Sequence, residues 1–579
     1  MRRLENDDDD GVGYIAASHM LRPSSVDDQQ QSIALLQVPR NSRVRHESIS
    51  SSVSDIDVPI YSTDNLTTRP PYQQREAEKS PEDEYAAQIP TVSSTSKITD
   101  TDAKVVRELG LNGRLAFAIA AAALGSSFQH GYNTGVVNAP EELIEKWIAD
   151  VILYRTGVYP DQSSVTLIWS VAVSIFCIGG MIGGVITGLV ADRFGRKGGL
   201  LFNNVLVLIA TFLMGLAKSA GSYEMMILGR FIIGINSGLN AGLAPMYLAE
   251  ISPINLRGAI GTVYQLVITI SILVSQILGL GSLLGTADKW PILLAITIVP
   301  AIFQVATLPI CPESPKYLLL TRGKDHEAER SLAWLRGTIE VQDEMDEMRS
   351  EYEAMKIIPK VTMRELIVND ALRIPLLISL AIMCAQQLSG INAVMFYSTK
   401  IFKMAQLSSE GAQFATLGMG AINVLMTVIS LILVERAGRK TLLLIGFSGM
   451  FIDTILLTFA MVNVAAALWI SYCAILFVLI FVVMFAIGPG SIPWFLVSEL
   501  FTQSARPAAT SLAVCVNWTA NFLVGLGFLP LQNIMGPYIF IIFVVILGVI
   551  VVFVYKKVPE TKNKTMEEIS AMFRQQSYQ

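Results

Sequence analysis

Twelve apolar runs, each about 20 residues long, occur between Leu115 and Tyr555, and a helix of that length crosses a hydrocarbon core about 30 Å thick. They lie roughly at 115–137, 165–190, 199–217, 223–247, 258–280, 290–310, 372–397, 411–434, 441–461, 467–494, 507–529 and 537–555. A mean hydropathy of +0.50, with only 16% charged residues, excludes an ordinary soluble globular protein. The sequence therefore predicts an all-α membrane protein with twelve transmembrane helices in the bilayer.

Composition also excludes several classes of function. A formal net charge of −5 without a basic face gives no reason to expect nucleic acid as a partner. All five cysteines fall inside or at the end of an apolar run, which argues against a disulfide framework or a zinc site. The chain has no P-loop, no metal-ligand cluster and no nucleophile–base arrangement. We therefore expect no enzymatic activity, no cofactor and no metal.

The two ends of the chain differ from the apolar region. Residues 1–110 are rich in Ser, Asp, Gln and Pro and show no sustained periodicity, which is typical of disordered chain. We expect a disordered cytoplasmic tail there and a second, short cytoplasmic tail at 556–579. Arg45 precedes Ser48 by three residues, a spacing that suits a basic-directed kinase but is frequent by chance. Cytoplasmic regulators or kinases are therefore candidate partners of the N-terminal tail.

Basic residues indicate the orientation in the membrane. Arg193, Arg196 and Lys197 lie between the second and third runs, and the long segment 311–371 also carries many Lys and Arg residues. Loops of the other parity are mostly short and poor in these residues. The positive-inside rule places the basic loops in the cytoplasm, together with both termini.

Charged motifs recur in the two halves of the chain. The first copies are DRFGRK at Asp192, EISPINLR with Glu250 and Arg257, and PESPK at Pro312; the second copies are ERAGRK at Glu435, ELFTQSAR with Glu499 and Arg506, and PETKN at Pro559. The order is the same in both halves, which indicates that six spans are duplicated. Parallel repeats of this kind predict two pseudo-symmetric six-helix bundles of a major facilitator fold, here 111–310 and 372–555. The segment 311–371 is then a cytoplasmic linker with short helices, because Ala328, Leu332 and Leu335 recur at helical spacing.

These charges lie at helix ends that face the boundary between the bundles. We interpret them as a cytoplasmic clasp, whose acids and bases pair when that side is closed and separate when it opens. Each exposed pair contributes only about 0–1 kcal/mol, so several together bias the equilibrium without fixing it. The alternative is that they only anchor the topology. The clasp residues are Arg193, Arg196, Glu250, Arg257, Glu313, Glu435, Arg439, Glu499 and Arg506.

Amide side chains are plentiful in the apolar runs, whereas ionisable ones are scarce. The amides of this kind are Gln129, Asn133, Gln265, Gln386, Gln387, Asn392, Asn423, Asn517 and Asn521. An amide both donates and accepts hydrogen bonds, as do the hydroxyls of a neutral polyhydroxylated solute. An unpaired amide in hydrocarbon is costly, so we expect these residues to face the interior. Gly390 should interrupt the seventh span beside them.

Two tryptophans add an apolar surface that suits the C–H face of a pyranose. Trp494 follows the GPGSIP motif of the tenth span, and Trp518 adjoins Asn517. The alternative for single amides is helix–helix hydrogen bonding, and for tryptophans an interfacial belt. That alternative is weaker for the set as a whole.

Six long motifs carry a resemblance to a known family. GRFIIGINSGL, PESPKYLL, QQLSGINAV, ERAGRK, GPGSIPWF and VPETKNKT occur in the order found in the sugar porter family of the major facilitator superfamily. Over roughly residues 111–570 the chain resembles in particular the animal facilitative glucose transporters. The resemblance implies uniport of a hexose, with D-glucose as the first candidate, across the plasma membrane by alternating access. It also implies the cytoplasmic clasp and a set of residues that contact the hexose: Gln265, Gln386, Gln387, Asn392, Asn423, Trp494 and Asn517, with Trp518 beside them.

The chain departs from the family pattern at three places. Met383, Cys384 and Ala385 stand where glucose-selective members often carry Gln-Leu-Ser, which puts discrimination between glucose and fructose in doubt. Ala486 stands where many members have Glu. The loop 138–164 lacks the N-glycosylation sequon that is common there.

Proton coupling is the main alternative to uniport. Proton-coupled relatives usually carry an Asp in the first span, where this chain has Asn133, which cannot titrate. His130 and Asp453 keep a proton-coupled symporter open, because both are ionisable residues at membrane depth. A sugar sensor that hardly transports, with the N-terminal tail as a signalling arm, is a further alternative. The intact clasp motifs argue against a sensor.

Overall fold

The computed structural model describes residues 111–573 except 358, 360, 503, 563, 565–567 and 570. The predicted tail over 1–110, with Arg45 and Ser48, lies outside this part. The described chain is helical and contains no strands. Ten of its helices are long and apolar enough to cross a membrane.

Two further crossings complete the predicted twelve. The longest of the ten helical segments, Arg506–Lys557, has 52 residues and would extend about 78 Å if it were straight. It is divided by a 3₁₀ turn at Gly536–Ile539, where Gly536 has a φ of 57°. Residues 113–135 form another crossing about 35 Å long, which is divided by a π-helical turn at Ala123–Ser127. The prediction of twelve spans is therefore confirmed.

We number the twelve spans α1–α12. In the first half, α1 comprises Gly113–Ala122, Ala123–Ser127 and Phe128–Gly135, and it is followed by α2 Gln162–Phe194, α3 Arg196–Leu216, α4 Tyr223–Ile251, α5 Ile254–Leu278 and α6 Trp290–Ile310. In the second half, α7 comprises Asp370–Leu388 and Ile391–Met404, and it is followed by α8 Ser409–Arg436, α9 Arg439–Val462, α10 with Leu468–Ile487 and Ile492–Leu500, α11 Arg506–Met535 and α12 Phe540–Lys557.

Glycines allow α2 and α4 to pack backbone against backbone. A Cβ atom at Gly179 or Gly183 of α2 would overlap a carbonyl oxygen of α4, and a Cβ at Gly234 or Gly238 would overlap a carbonyl of α2. Between membrane helices there is little hydrophobic driving force, so close van der Waals contact through small residues stabilises the pair. The four glycines therefore fix these two helices within the first half.

The repeat of charged motifs corresponds to a repeat of contacts. Glu313 accepts hydrogen bonds from the backbone N–H groups of Arg196, Lys197 and Gly198, at 3.0, 2.9 and 3.2 Å. In the second half, Glu560 accepts from the N–H groups of Arg439 and Lys440, at 2.8 and 3.1 Å. These N–H groups begin α3 and α9 and have no partner within their helix. The two halves thus repeat one structural device, as their duplicated sequence predicts.

The two membrane faces differ in what they carry. One face carries helices Asp325–Arg336 and Gln342–Ile357 between α6 and α7, and we call it the linker face. The predicted apolar residues Ala328, Leu332 and Leu335 are buried beneath the first of these helices. The opposite face carries helix Glu141–Thr156 between α1 and α2, and we call it the short-loop face.

Candidate amide-lined binding site

Two helix breaks meet at the centre of the second half. Gly390, between the two parts of α7, has a φ of 99°, a left-handed conformation that glycine adopts without strain. Helix α10 is broken between Ile487 and Ile492. Gln386 joins the breaks, because its Nε2 donates to the carbonyl oxygens of Pro489 and Gly490, both at 2.8 Å. The predicted interruption of the seventh span is confirmed.

Four predicted amides form one hydrogen-bonded cluster across α7 and α11. Nδ2 of Asn517 lies 2.8 Å from Oε1 of Gln386, and Nε2 of Gln387 donates to Oδ1 of Asn517 at 3.0 Å. Nδ2 of Asn392 donates to Oε1 of Gln387. We call these four residues the amide cluster. Gln386, Gln387 and Asn517 are buried, so each amide is paired with another amide or with a backbone carbonyl.

Gln265 lies on the other side of the boundary, on α5, and its side chain is exposed. It shares a helix face with Thr269, Ile272 and Gln276, all of which are buried. A Cβ at Gly420 of α8 would overlap Oε1 of Gln276, so this face of α5 points at the second half. Gln265 is therefore exposed to the space between the halves.

Asn423 and the two tryptophans stand apart from the amide cluster. Asn423 on α8 is buried but makes none of the cluster's side-chain hydrogen bonds. Trp494, just after the break in α10, is 43% exposed. Trp518 of α11 is buried and reaches the first half, where it stacks on His130 with ring centroids 6.1 Å apart. Trp518 thus contacts both halves beside the amide cluster.

The ionisable residues that left proton coupling open are not grouped. His130 Nδ1 lies 3.1 Å from the hydroxyl of Tyr264 on α5. Asn133 donates to the hydroxyl oxygen of Thr297 at 2.8 Å, and its backbone carbonyl accepts from Arg230 at 2.9 Å. Asp453 is buried in α9, with one carboxyl oxygen that has no hydrogen-bond partner.

The predicted clasp residues lie at the linker face. Arg196 pairs with Glu250 at 2.9 Å in the first half, and Arg439 pairs with Glu499 at 2.9 Å in the second half. Neither of these ion pairs crosses the boundary between the halves. Arg193 is exposed. The Nε atoms of Arg257 and Arg506 have no hydrogen-bond partner. The side chain of Glu435 lies outside what the structure describes.

A group of hydrogen bonds joins the halves at the short-loop face. Nδ2 of Asn138, which follows α1, donates to the carbonyl of Met395 at 2.9 Å and to the hydroxyl of Ser398 at 2.6 Å. Oδ1 of Asn138 accepts from the N–H of Thr399 at 3.1 Å. These hydrogen bonds connect the loop after α1 to α7. The structure is therefore closed at the short-loop face, while Gln265 is accessible nearer the linker face.

Sequence reasoning did not select Asn138 or Glu560 as functional residues. Asn138 lies in a loop just after the first apolar run, where a lone amide carries no signal. Glu560 could have been found, because PETKN repeats PESPK and places Glu560 at the position of Glu313. Among the described residues, no group of three or more His, Cys, Asp or Glu side chains could hold a metal ion.

The arrangement defines a class of protein. Two similar six-helix halves enclose a space lined by neutral amides and aromatic rings, open toward one face and closed at the other, which is the architecture of a major facilitator transporter. The family model described as "Sugar (and other) transporter" matches residues 118–573. The chain belongs to this family.

Curated relatives and solved structures agree with this assignment. The chain is 50% identical over 485 residues to "Facilitated glucose transporter protein 1" of Caenorhabditis elegans, which covers 83% of this chain and 94% of that protein. It is 47% identical to "Solute carrier family 2, facilitated glucose transporter member 1" of Gallus gallus, over 80% of this chain and 94% of that one.

The fold is similar to that of a solved sugar transporter. The partially occluded inward open conformation of the xylose transporter XylE from E. coli matches with a TM-score of 0.67 and 27% identity, and covers 78% of this chain and 100% of that chain. The inward open conformation of the same transporter matches with a TM-score of 0.67 and 26% identity. Both are structures of that transporter with one side open.

Proposed function

We propose that the protein carries a hexose, with D-glucose as the first candidate, down its gradient across the plasma membrane by alternating access. The observation that carries this proposal is the amide cluster, which presents donors and acceptors without a net charge at the break of α7. Relatives named facilitated glucose transporters support the same conclusion.

The chemistry of the lining suits a sugar. Amides of the cluster can donate to and accept from hydroxyls of the ligand, and a typical hydrogen bond contributes about 1 kcal/mol net. A millimolar dissociation constant requires only about −4 kcal/mol, so a few such bonds are enough after the ordering cost. Weak binding also permits rapid release.

We assign the remaining predicted residues to the walls of the same space. Gln265 and Asn423 provide amides from α5 and α8, on either side of the boundary. Trp494 and Trp518 provide apolar surface on which the C–H face of a pyranose packs. All four lie on spans that border the amide cluster or the boundary between the halves.

The charged residues at the linker face fit the predicted clasp in the opposite state of the cycle. In the present structure Arg196–Glu250 and Arg439–Glu499 are satisfied within their halves. We propose that these groups meet across the boundary when the linker face closes. Arg257 and Arg506, whose Nε atoms have no hydrogen-bond partner here, would join them. The short-loop face would then open, and the contacts of Asn138 would separate.

We further propose the orientation and the domain limits given by the sequence. The linker face and both tails are cytoplasmic, because loops rich in Lys and Arg remain inside. The halves are 111–310 and 372–555, and the tail over 1–110 is the place for regulators or kinases. If a truncated protein that lacks residues 1–110 still transports, the tail serves regulation or sorting.

Uniport rather than proton symport is supported by Asn133. Its amide donates to Gln129 and Thr297 in the first half, and no carboxyl group occupies that position. Uptake that persists with a protonophore at equal pH on both sides is the expected result. Abolition of uptake would favour the symporter instead.

The direct test is tracer uptake by the purified protein in proteoliposomes. We expect labelled D-glucose to equilibrate without exceeding the external concentration, and a panel of unlabelled sugars to compete. Binding without uptake would favour a sugar sensor. Accumulation above the external concentration would contradict facilitative transport.

A further inference from the structure

Two ion pairs join the halves at the short-loop face. Lys400 Nζ lies 3.1 Å from Oε1 of Glu141, and Lys403 Nζ lies 2.7 Å from Oε1 of Glu142. The acids belong to the helix after α1 and the lysines to α7. We call the two contacts the short-loop ion pairs.

The local sequence places these four groups opposite each other. Glu141 and Glu142 are in the first turn of helix Glu141–Thr156, where the helix dipole favours negative charge. Lys400 and Lys403 are three residues apart, so they lie on one face of α7. Both lysines are about one-quarter exposed, but the side chain of Glu141 is only 4% exposed and that of Glu142 is 64% exposed.

We propose that the short-loop ion pairs hold the short-loop face closed, and that Lys400 sets how readily this face reopens. The inference rests on the proposed transport cycle, in which this face must open for the sugar to enter or leave. The contacts of Asn138 close the same face, but they are neutral; the ion pairs add a charged contribution.

The buried acid explains why Lys400 matters more than Lys403. Glu141 faces Lys400 and Tyr397 from α7 and lies beside Glu142 and Glu145 on its own helix. Burial raises the pKa of the Glu141 carboxyl to about 7, although Lys400 acts in the opposite direction. Burial also raises the pKa of Glu145. One lysine therefore compensates a group of acids that would otherwise repel each other in the closed state.

Closure of the short-loop face should depend on pH because the pKa of Glu141 is raised. Opening would expose Glu141 to water and return its pKa toward the ordinary value, so the closed state binds the proton more tightly. Acid therefore favours closure of this face. Because Lys400 lowers the pKa of Glu141, loss of Lys400 at pH 7.5 forces the closed face either to contain an unpaired carboxylate or to take up a proton far above the pKa of the open state. At pH 5.5 the carboxyl is protonated more easily and the penalty shrinks.

The experiment measures exposure of the closed boundary directly. A Ser398→Cys substitution places a thiol at a buried position of α7 in the full-length protein, reconstituted in lipid nanodiscs. The initial rate of its reaction with a maleimide reports the open fraction, with the parent protein as the control for the native cysteines. Each rate is compared with Ser398→Cys alone at the same pH.

We expect Lys400→Gln to raise the labelling rate about tenfold at pH 7.5, since removing one partner of a buried pair leaves a charge uncompensated. The matched control Lys403→Gln, whose partner is exposed, should change the rate by less than about fivefold. The double substitution Glu141→Gln and Lys400→Gln should return the labelling rate to within about twofold of that of Ser398→Cys alone, since the buried charge is gone. At pH 5.5 the effect of Lys400→Gln should shrink to about twofold or less.

A labelling rate unchanged by Lys400→Gln, or an effect that the double substitution does not reverse, would overturn the proposal. If Lys400→Gln does not fold, the reversed pair Glu141→Lys with Lys400→Glu decides: a rate near that of the parent supports the ion pair, and a high rate contradicts it. The readout needs no sugar. Failure of hexose uptake and failure of the ion pairs are therefore separate outcomes.

Discussion

Gln265 and Gln276 lie on the same face of α5, about 16 Å apart along the helix axis, yet only Gln265 is exposed. Gln276 packs against Gly420 of α8 near the short-loop face. Toward the linker face the same side of α5 meets open space. Along this helix, therefore, the halves are in contact near the short-loop face and separated nearer the linker face.

The amide cluster should be sensitive to removal of its central member. Gln387→Ala removes the acceptor of Asn392 Nδ2 and the donor to Asn517 Oδ1, and a buried polar group left without a partner costs about 1–3 kcal/mol. We expect the KM for D-glucose uptake in proteoliposomes to rise about tenfold or more, with unchanged protein abundance. Asn463→Ala, at an exposed amide after α9, is the matched control and should transport normally.

The acid that begins α3 should matter for stability. Glu313→Ala removes the acceptor of three backbone N–H groups, and loss of such a helix cap costs about 0.5–2 kcal/mol. We expect a lower melting temperature for the purified protein. Glu560→Ala should produce a similar decrease, because it is the equivalent residue at α9. A difference in sign between the two variants would contradict the equivalence of the halves.

The close packing of α2 on α4 gives a steric prediction. Gly183→Ala places a Cβ against the carbonyl oxygen of Ile235 and should destabilise the protein by about 1–3 kcal/mol. Gly188→Ala on the same helix meets no atom within 4 Å. Thermal unfolding should therefore separate the two variants. Equal melting temperatures would show that the helices can part without cost.

The buried carboxyl of Asp453 tests the mode of transport. It lies in α9, away from the amide cluster, and has an oxygen without a hydrogen-bond partner. If transport is uncoupled from protons, Asp453→Asn should keep both the rate of glucose uptake and its pH profile, measured from pH 5.5 to 8. A lost or flattened pH profile would instead assign a proton to this residue.

Several elements could be predicted because they depend on short-range patterns. The spans follow from apolar length, and the break in α7 follows from Gly390 between polar residues. The equivalent positions of Glu313 and Glu560 follow from the PESPK and PETKN repeat. Amides were expected to face the interior because hydrocarbon does not satisfy them, and Gln386, Gln387 and Asn517 are buried together.

Pairing partners were harder to predict. The charges at the linker face were expected to meet across the boundary, but Arg196 and Arg439 are each paired within their own half. The sequence shows that acids and bases face the same side. Which of them meet depends on the distance between the halves, and that distance changes with the state of the transporter.

The sequence by itself determined the number of spans, the duplication and the uncharged character of the lining, because these depend on local hydrophobicity and on repeated residues. Only the tertiary structure decided which face is closed and which residues close it. Asn138 contacts α7, and Lys400 contacts the helix after α1; in each case the two partners are more than 250 positions apart in the sequence. No periodicity in the chain encodes such a contact, since it depends on how the two halves, each packed separately, are positioned against each other.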